Sequence, residues 1–118
     1  MKILYIENHA VFAENAKKQF LSRHSVTIVP SLSGARQALL DEVFDLLLVD
    51  YDLDDGKGDV LVRSLRESGN ETAIVGVSSH EEGNAALARA GASAVCSKMN
   101  FDGIQRVIDD CTLGHQGQ

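Results

Sequence analysis

Proline, cysteine and clustered basic residues are all scarce in this sequence, and each scarcity removes a class of protein. A single proline in 118 residues, together with 44% hydrophobic and 24% charged residues, excludes a disordered chain and indicates one folded domain spanning residues 1–118. The two cysteines, Cys96 and Cys111, share no metal-ligand spacing with each other or with the histidines. We expect both to be reduced, buried small hydrophobes.

The distributions of charge and of apolar residues exclude two further classes. The formal net charge is −6, and the lysines and arginines are scattered, so the basic stripe that direct nucleic-acid binding needs is missing. No apolar run approaches the roughly 20 residues of a membrane span. The start does not resemble a signal peptide either, because the apolar run after Lys2 is too short. These absences predict a cytoplasmic protein with no membrane or direct nucleic-acid partner.

Five short apolar or β-branched runs alternate with five helical patterns along the chain. The runs are residues 3–6, 26–29, 46–49, 73–77 and 94–97. Apolar runs without polar alternation fit strands buried on both faces, and strand–helix alternation predicts a parallel sheet with helices on both faces. We therefore predict an α/β, doubly wound (βα)5 domain with a core of about residues 1–112 and a frayed tail, residues 113–118.

Capping residues predict where several helices begin and end. Ser33 is the candidate N-cap of the second helix, and Asn100 is the candidate N-cap of the last helix. Gly69 follows the third helical pattern, where a left-handed residue is wanted. Glu81 and Glu82 suit the first turn of the fourth helix, since carboxylates there complement the helix dipole.

Polar side chains follow four of the predicted strands. Glu7 and Asn8 follow the first strand, Asp50 the third, Ser78 the fourth and Lys98 the fifth. Because the carboxyl ends of parallel strands meet at one edge of a sheet, these groups are expected to lie together. Such a set suits a phosphoryl group. The carboxylate can attack phosphorus, a hard divalent cation can neutralise charge, and the hydroxyl and ammonium can bind the equatorial oxygens.

With these residues in this order, the chain resembles the receiver domain of two-component response regulators, a chemotaxis-type domain with a flavodoxin-like fold. The family signature is a strand followed by an acidic pair, a strand followed by Asp, a strand followed by Ser or Thr, and a strand followed by Lys. Further matches are the segment 45–50, the glycines Gly56 and Gly58, and the segment 90–92. The resemblance covers about residues 1–110 and implies a five-stranded parallel sheet with strand order 2-1-3-4-5.

The resemblance also implies a chemistry. Asp50 would accept a phosphoryl group from a phosphohistidine on a partner histidine kinase or phosphotransfer protein. Mg²⁺ would be held by Glu7, Asn8, Asp50 and the main-chain carbonyl of Asp52. The protein would be a phosphoacceptor and not an enzyme, apart from self-dephosphorylation, which Asp52 and His80 would tune.

The phosphorylated state would then be read by other proteins. Ser78 would swing to bind the phosphoryl group, and Lys98 would pair with it. The resemblance implies that this change biases a surface formed by the fourth helix, the fifth strand and the fifth helix, to which a downstream protein docks. The remaining loop carboxylates, Asp54 and Asp55, are expected to face solvent.

Four positions depart from the family pattern. Asn8 stands where the family has a second carboxylate, so Mg²⁺ affinity is expected to be weakened or lost. Val95 replaces an aromatic residue, Met99 replaces a proline, and Ser79 replaces a small alanine. These departures motivate an alternative hypothesis, a pseudo-receiver that acts as a phosphorylation-independent protein-interaction module.

A third hypothesis is a small haloacid-dehalogenase-like phosphatase. The pattern of Asp50 and Asp52 after an apolar run also resembles the DxD motif of that family. Against it, the motif follows the third strand instead of the first, no later acidic pair supplies a metal site, and no cap domain is present.

Overall fold

A parallel five-stranded sheet lies at the centre of the domain. The computed structural model describes the backbone of residues 1–116 and the side chains of residues 1–112. The strands are β1 (Lys2–Ile6), β2 (Ser25–Val29), β3 (Leu46–Val49), β4 (Ala73–Gly76) and β5 (Ala94–Val95). Their order across the sheet is β2-β1-β3-β4-β5, with every neighbouring pair parallel, which confirms the predicted fold.

Five α-helices connect or follow the strands. They are α1 (Ala10–Phe20), α2 (Leu32–Asp41), α3 (Gly58–Glu67), α4 (Glu81–Ala90) and α5 (Ile104–Gln116). A 3-10 segment (Lys98–Gly103) precedes α5, and a small hairpin of Asp52–Leu53 with Gly56–Lys57 lies between β3 and α3. Among the described residues, no helix combines the length and apolar character needed to cross a membrane. The tail predicted for residues 113–118 lies outside the described side chains and stays a prediction.

Alternate side chains of each strand enter two cores on opposite faces of the sheet. On β1, Ile3 and Tyr5 belong to the core beneath α1 and α5, whereas Leu4 and Ile6 belong to the core beneath α2, α3 and α4. All four are fully buried. Because helices cover both faces, the strands have no polar face, and this is why their sequences are continuous apolar runs. The two cysteines are free and buried in the first core, as predicted.

Two of the predicted helix caps are wrong. α2 begins after Ser31, whose hydroxyl accepts a hydrogen bond from the N–H of Gly34 at 3.0 Å, so Ser33 lies inside the helix. Asn100 lies within the 3-10 segment with non-helical φ and ψ, and the hydroxyl of Ser97 caps that segment by accepting a main-chain hydrogen bond at 3.1 Å. In both cases an earlier serine with extended backbone takes the capping position.

Asp55 fastens the small hairpin to the start of α2. Its two carboxylate oxygens accept hydrogen bonds from the main-chain N–H groups of Leu32 and Ser33, at 2.6 and 3.0 Å. These bonds lower the pKa of the Asp55 carboxyl below its ordinary value. Asp55 is exposed, as expected, but it also supplies a cap to a helix that begins 23 residues earlier. The hairpin that follows Asp50 is therefore held in place by hydrogen bonds to the start of α2.

Gly58 begins α3 at a close approach to the end of β3. A Cβ at this position would collide with the main-chain oxygen of Asp50 and lie 2.9 Å from the Cγ1 of Val49. Because main-chain atoms must then shift, Gly58→Ala is expected to lower the free energy of unfolding by about 1–3 kcal/mol or more. Equilibrium urea unfolding measures this loss.

Gly103→Ala is the matched control, since a Cβ there has no neighbour within 4 Å. That variant is expected to retain wild-type stability or to gain slightly. Equal stability of the two variants would contradict the close approach at Gly58.

Candidate functional site

Glu7, Asp50 and Lys98 form a buried ion cluster at the carboxyl edge of the sheet. Glu7 directly follows β1, Asp50 directly follows β3, and Lys98 begins the 3-10 segment after β5. The Nζ atom of Lys98 lies 2.7 Å from Oε1 of Glu7 and 3.2 Å from Oδ2 of Asp50. Glu7 is 1% exposed and Asp50 is 5% exposed. One ammonium group therefore contacts both carboxylates away from solvent.

The Asp50 carboxylate is held by main-chain and ionic contacts. The main-chain N–H of Asp50 donates to the carbonyl of Ile6 at 2.9 Å, and the carboxylate Oδ1 of Asp50 accepts from the N–H of Tyr51 at 2.8 Å. Burial and, after it, the neighbouring Glu7 carboxylate raise the pKa of the Asp50 carboxyl, the Lys98 ammonium lowers it, and the net result is a pKa of about 7. The ionised, nucleophilic form and the protonated form are thus both accessible near neutral pH.

Glu7 is satisfied by donors that the sequence analysis did not identify. The Tyr5 hydroxyl donates to Oε1 at 3.3 Å, and the main-chain N–H of His9 donates to Oε2 at 3.2 Å. Burial and the Glu7 charge raise the pKa of Tyr5, which keeps the phenol protonated as a donor. The sequence did contain a signal for the Tyr5–Glu7 contact. Residues two apart along an extended chain lie on the same face, and the hydroxyl of Tyr5 stands two positions before Glu7.

Lys98 is fixed along its length. Its side chain is 15% exposed, and its Nζ lies 5.2 Å from the ring centroid of Phe12, a cation–π distance. Its main-chain N–H donates to the carbonyl of Ser78 at 3.1 Å. The lysine therefore links the ion cluster to the end of β4.

Ser78 is buried beside the cluster, but its hydroxyl is turned toward α4. Oγ accepts a hydrogen bond from the main-chain N–H of His80 at 3.1 Å. Among the described residues, no hydrogen bond joins this hydroxyl to Asp50 or to the ammonium of Lys98. Instead the main chain of Ser78 is bound by the side-chain amide of Asn84, a residue that the sequence analysis missed.

The other predicted site residues lie at the surface. Asn8 is exposed and follows Glu7 in the chain. Asp52 is exposed in the hairpin, where its carboxylate pairs with Lys57. His80 is exposed at the N-cap position of α4, and its side chain makes no capping bond.

The raised pKa of Asp50 predicts a pH-dependent stability. An aspartate ionises with a pKa of about 3.9 when unfolded, and at about 7 here. Its protonated form therefore favours folding, and this contribution is complete below the unfolded pKa and is lost as pH rises through the folded pKa. Asp50→Asn cannot ionise, so it is expected to gain stability relative to wild type across that interval, by on the order of 1.4 kcal/mol per pKa unit.

Urea unfolding of Asp50→Asn and wild type at several pH values between about 4 and 8 measures this gain. Asp54→Asn, which alters an exposed carboxylate of the same loop, controls for the loss of one negative charge. If the difference in unfolding free energy between Asp50→Asn and wild type does not grow with pH, the pKa of Asp50 is not raised by burial and by the Glu7 charge.

Three solved structures are similar to this chain over nearly its whole length. The receiver domain of the Francisella response regulator 1452 matches with a TM-score of 0.85 at 16% identity, over 97% of this chain and 98% of that chain. Response regulator protein TrrA from Thermotoga maritima, in complex with Mg²⁺-BeF, matches with a TM-score of 0.83 at 17% identity, over 94% and 99%. The receiver domain of NtrX from Brucella abortus matches with a TM-score of 0.83 at 19% identity, over 93% and 97%.

At these identities the structural likeness shows the fold. No curated protein matches the sequence. The family model of the response regulator receiver domain matches residues 3–108, which include all but the first residue of the sheet and most of the helices. The chain therefore belongs to the response regulator receiver domain family of two-component systems.

Proposed function

We propose that Asp50 accepts a phosphoryl group from a phosphohistidine on a partner histidine kinase or phosphotransfer protein. The observation that carries this proposal is the ion cluster, in which a nucleophilic carboxylate at the end of β3 lies 3.2 Å from the ammonium of Lys98. Receiver domains generally act as phosphoacceptors and not as enzymes, and membership of that family supports the same role.

The transfer is a displacement at phosphorus. A carboxylate oxygen of Asp50 forms a bond to phosphorus, the bond from phosphorus to the partner's imidazole nitrogen breaks, and the electron pair leaves with the imidazole. The product is an acyl phosphate on Asp50. Lys98 neutralises one of the transferred oxygens, and Ser78 binds another once its hydroxyl leaves the N–H of His80.

A hollow lies beside Lys98, one member of the ion cluster. It measures about 290 Å³ and is lined by His9, Phe12, Ser79, Lys98 and Met99. Met99 is 79% exposed, so one rim of the hollow is an accessible apolar side chain. In the proposed transfer, an imidazole of the partner would approach the cluster from this side of Lys98.

The oxygen donors near Asp50 are of the type that a hard divalent cation prefers. Receiver domains bind Mg²⁺, which proteins usually hold through one or two carboxylates together with other oxygens and water. Glu7 and Asp50 supply two carboxylates, and the Asp52 main-chain carbonyl and the Asn8 amide would complete the set. When bound, the cation neutralises charge on the incoming phosphoryl group.

These donors carry less negative charge than a set in which a carboxylate replaces the amide of Asn8. Among the described residues, no group of three or more His, Cys, Asp and Glu side chains is placed to hold a metal ion. Lys98 already contacts both buried carboxylates, and Asn8 brings no charge. We therefore infer that Mg²⁺ binds weakly here.

The output of phosphorylation is docking of a downstream protein on the surface formed by α4, β5 and α5. Val95 on β5 is 39% exposed, which leaves an apolar group at the centre of that surface. Asp52 and His80 are both exposed, flank Asp50 and Ser78 in the chain, and would tune the lifetime of the acyl phosphate by orienting water.

Phosphorylation of Asp50 is tested by mass. Incubation with a small-molecule phosphodonor and Mg²⁺ is expected to add one phosphoryl group to wild type and none to Asp50→Asn. Asp54→Asn, which removes an exposed carboxylate of the same loop, is expected to form the adduct as wild type does. Wild type that stays unmodified would sink the proposal and favour a pseudo-receiver that docks without phosphorylation.

Replacing Asn8 tests the weakness of the metal site. Asn8→Asp restores a second carboxylate beside Glu7 and is expected to raise Mg²⁺ affinity on the order of ten- to a hundredfold, the scale on which metal sites respond to their supporting groups. Titration with Mg²⁺ in the absence of phosphodonor, followed by calorimetry or by amide chemical shifts around Asp50, measures the affinity directly. Unchanged affinity would show that Asn8 does not face the cation.

A further inference from the structure

Asn84, in the first half of α4, binds the main chain of Ser78 with both ends of its side-chain amide. Its Oδ1 accepts from the N–H of Ser78 at 3.0 Å, and its Nδ2 donates to the carbonyl of Ser78 at 3.2 Å. Asn84 is 9% exposed. The two bonds determine how the amide is oriented, because only its oxygen can accept from an N–H and only its NH₂ can donate to a carbonyl.

The carbonyl of Ser78 is a junction between α4 and the ion cluster. Besides the amide of Asn84, it accepts the main-chain N–H of Lys98 at 3.1 Å. One oxygen atom thus connects α4 to the residue whose ammonium contacts Asp50. Since buried main-chain groups are costly to leave unpaired, displacement of Ser78 without Asn84 is unfavourable.

α4 also touches the hydroxyl of Ser78. A Cβ on Gly83 would lie 2.5 Å from Oγ of Ser78 and 3.1 Å from Cβ of Tyr51, so the first turn of α4 lies directly against the hydroxyl. The same hydroxyl accepts from the N–H of His80 at the start of α4. Ser78 can approach Asp50 only if α4 follows it or if these contacts break.

We propose that Asn84 is a positioning residue that couples Ser78 to α4, so that movement of Ser78 toward a phosphoryl group on Asp50 displaces α4. This inference rests on the proposed phosphorylation of Asp50. The connection runs from main chain to side-chain amide and needs no large side chain on β5, where Val95 stands.

The test compares wild type, Asn84→Ala and Asn70→Ala by hydrogen exchange before and after treatment with a small phosphodonor and Mg²⁺, with intact mass as the measure of phosphorylation. Asn70 is the matched control, because its side-chain amide also accepts a main-chain N–H, that of Thr72 at 2.9 Å, but does so between α3 and β4. All three proteins are expected to form the adduct.

In unphosphorylated Asn84→Ala, the amide of Ser78 is expected to exchange about fivefold faster or more, as the loss of one net hydrogen bond implies. Phosphorylation is expected to change exchange across α4 in wild type and in Asn70→Ala, and this change is expected to be lost in Asn84→Ala. Asn84→Asp keeps the acceptor but cannot donate to the Ser78 carbonyl, so a reduced response is expected. It also replaces Asn84→Ala as the test variant where the alanine variant does not fold.

The two levels of the proposal fail differently. A phosphorylated Asn84 variant whose α4 responds as strongly as wild type overturns the coupling and leaves the chemistry at Asp50 standing. A wild-type protein that forms no adduct overturns both.

Discussion

The contact of one ammonium group with two buried carboxylates is the interaction on which the rest of this site depends. Removing a carboxylate from water costs several kcal/mol unless a counter-ion and hydrogen bonds replace the lost solvation. Lys98 supplies the counter-ion for both Glu7 and Asp50, and the hydroxyl of Tyr5 donates to the same Glu7 oxygen as Lys98. Main-chain N–H groups donate to the other oxygen of each carboxylate. The cluster also brings together side chains that follow β1, β3 and β5, three different strands of the sheet.

The burial and charge of the cluster explain the raised pKa of Asp50. Burial is the main cause of the raised pKa of Asp50, and the negative charge of Glu7, which the single ammonium of Lys98 does not fully offset, adds to it. The excess can be relieved by a proton or by a divalent cation near Asn8. A chain with aspartate at position 8 would hold one more negative charge and would favour the cation over the proton. Asn8 lacks that charge, and this supports the proposal that Mg²⁺ binds weakly here.

The fold and the ion cluster could be predicted because their signals are local. Continuous apolar runs identify strands covered on both faces, and a parallel sheet brings the residues that follow β1, β3, β4 and β5 to one edge. The caps of α2 and of the last helix could not be assigned this way. Ser31 and Ser33 are two positions apart and both have capping side chains, so the choice depends on the backbone where the chain enters the helix. Asp55 reaches α2 only because of the hairpin, and no periodic pattern in the sequence predicts that hairpin.

Asn84 shows most clearly why the hydrogen-bond partners of a side chain cannot be predicted from the sequence. In a helical pattern it stands among alanines as a polar residue, and such a residue is ordinarily solvent-facing. Its burial is explained only by the fold, in which β4 ends beside α4 and the side-chain amide of Asn84 pairs with the N–H and the carbonyl of Ser78. The atoms of Ser78 that Asn84 binds matter for the proposed coupling of Ser78 to α4. These atoms belong to the main chain, so rotation of the Ser78 side chain alone does not break these two hydrogen bonds. Under the proposed phosphorylation of Asp50, a displacement of the Ser78 main chain therefore moves Asn84 with it or breaks both hydrogen bonds, and this is the link to α4 that the comparison of Asn84 and Asn70 variants tests.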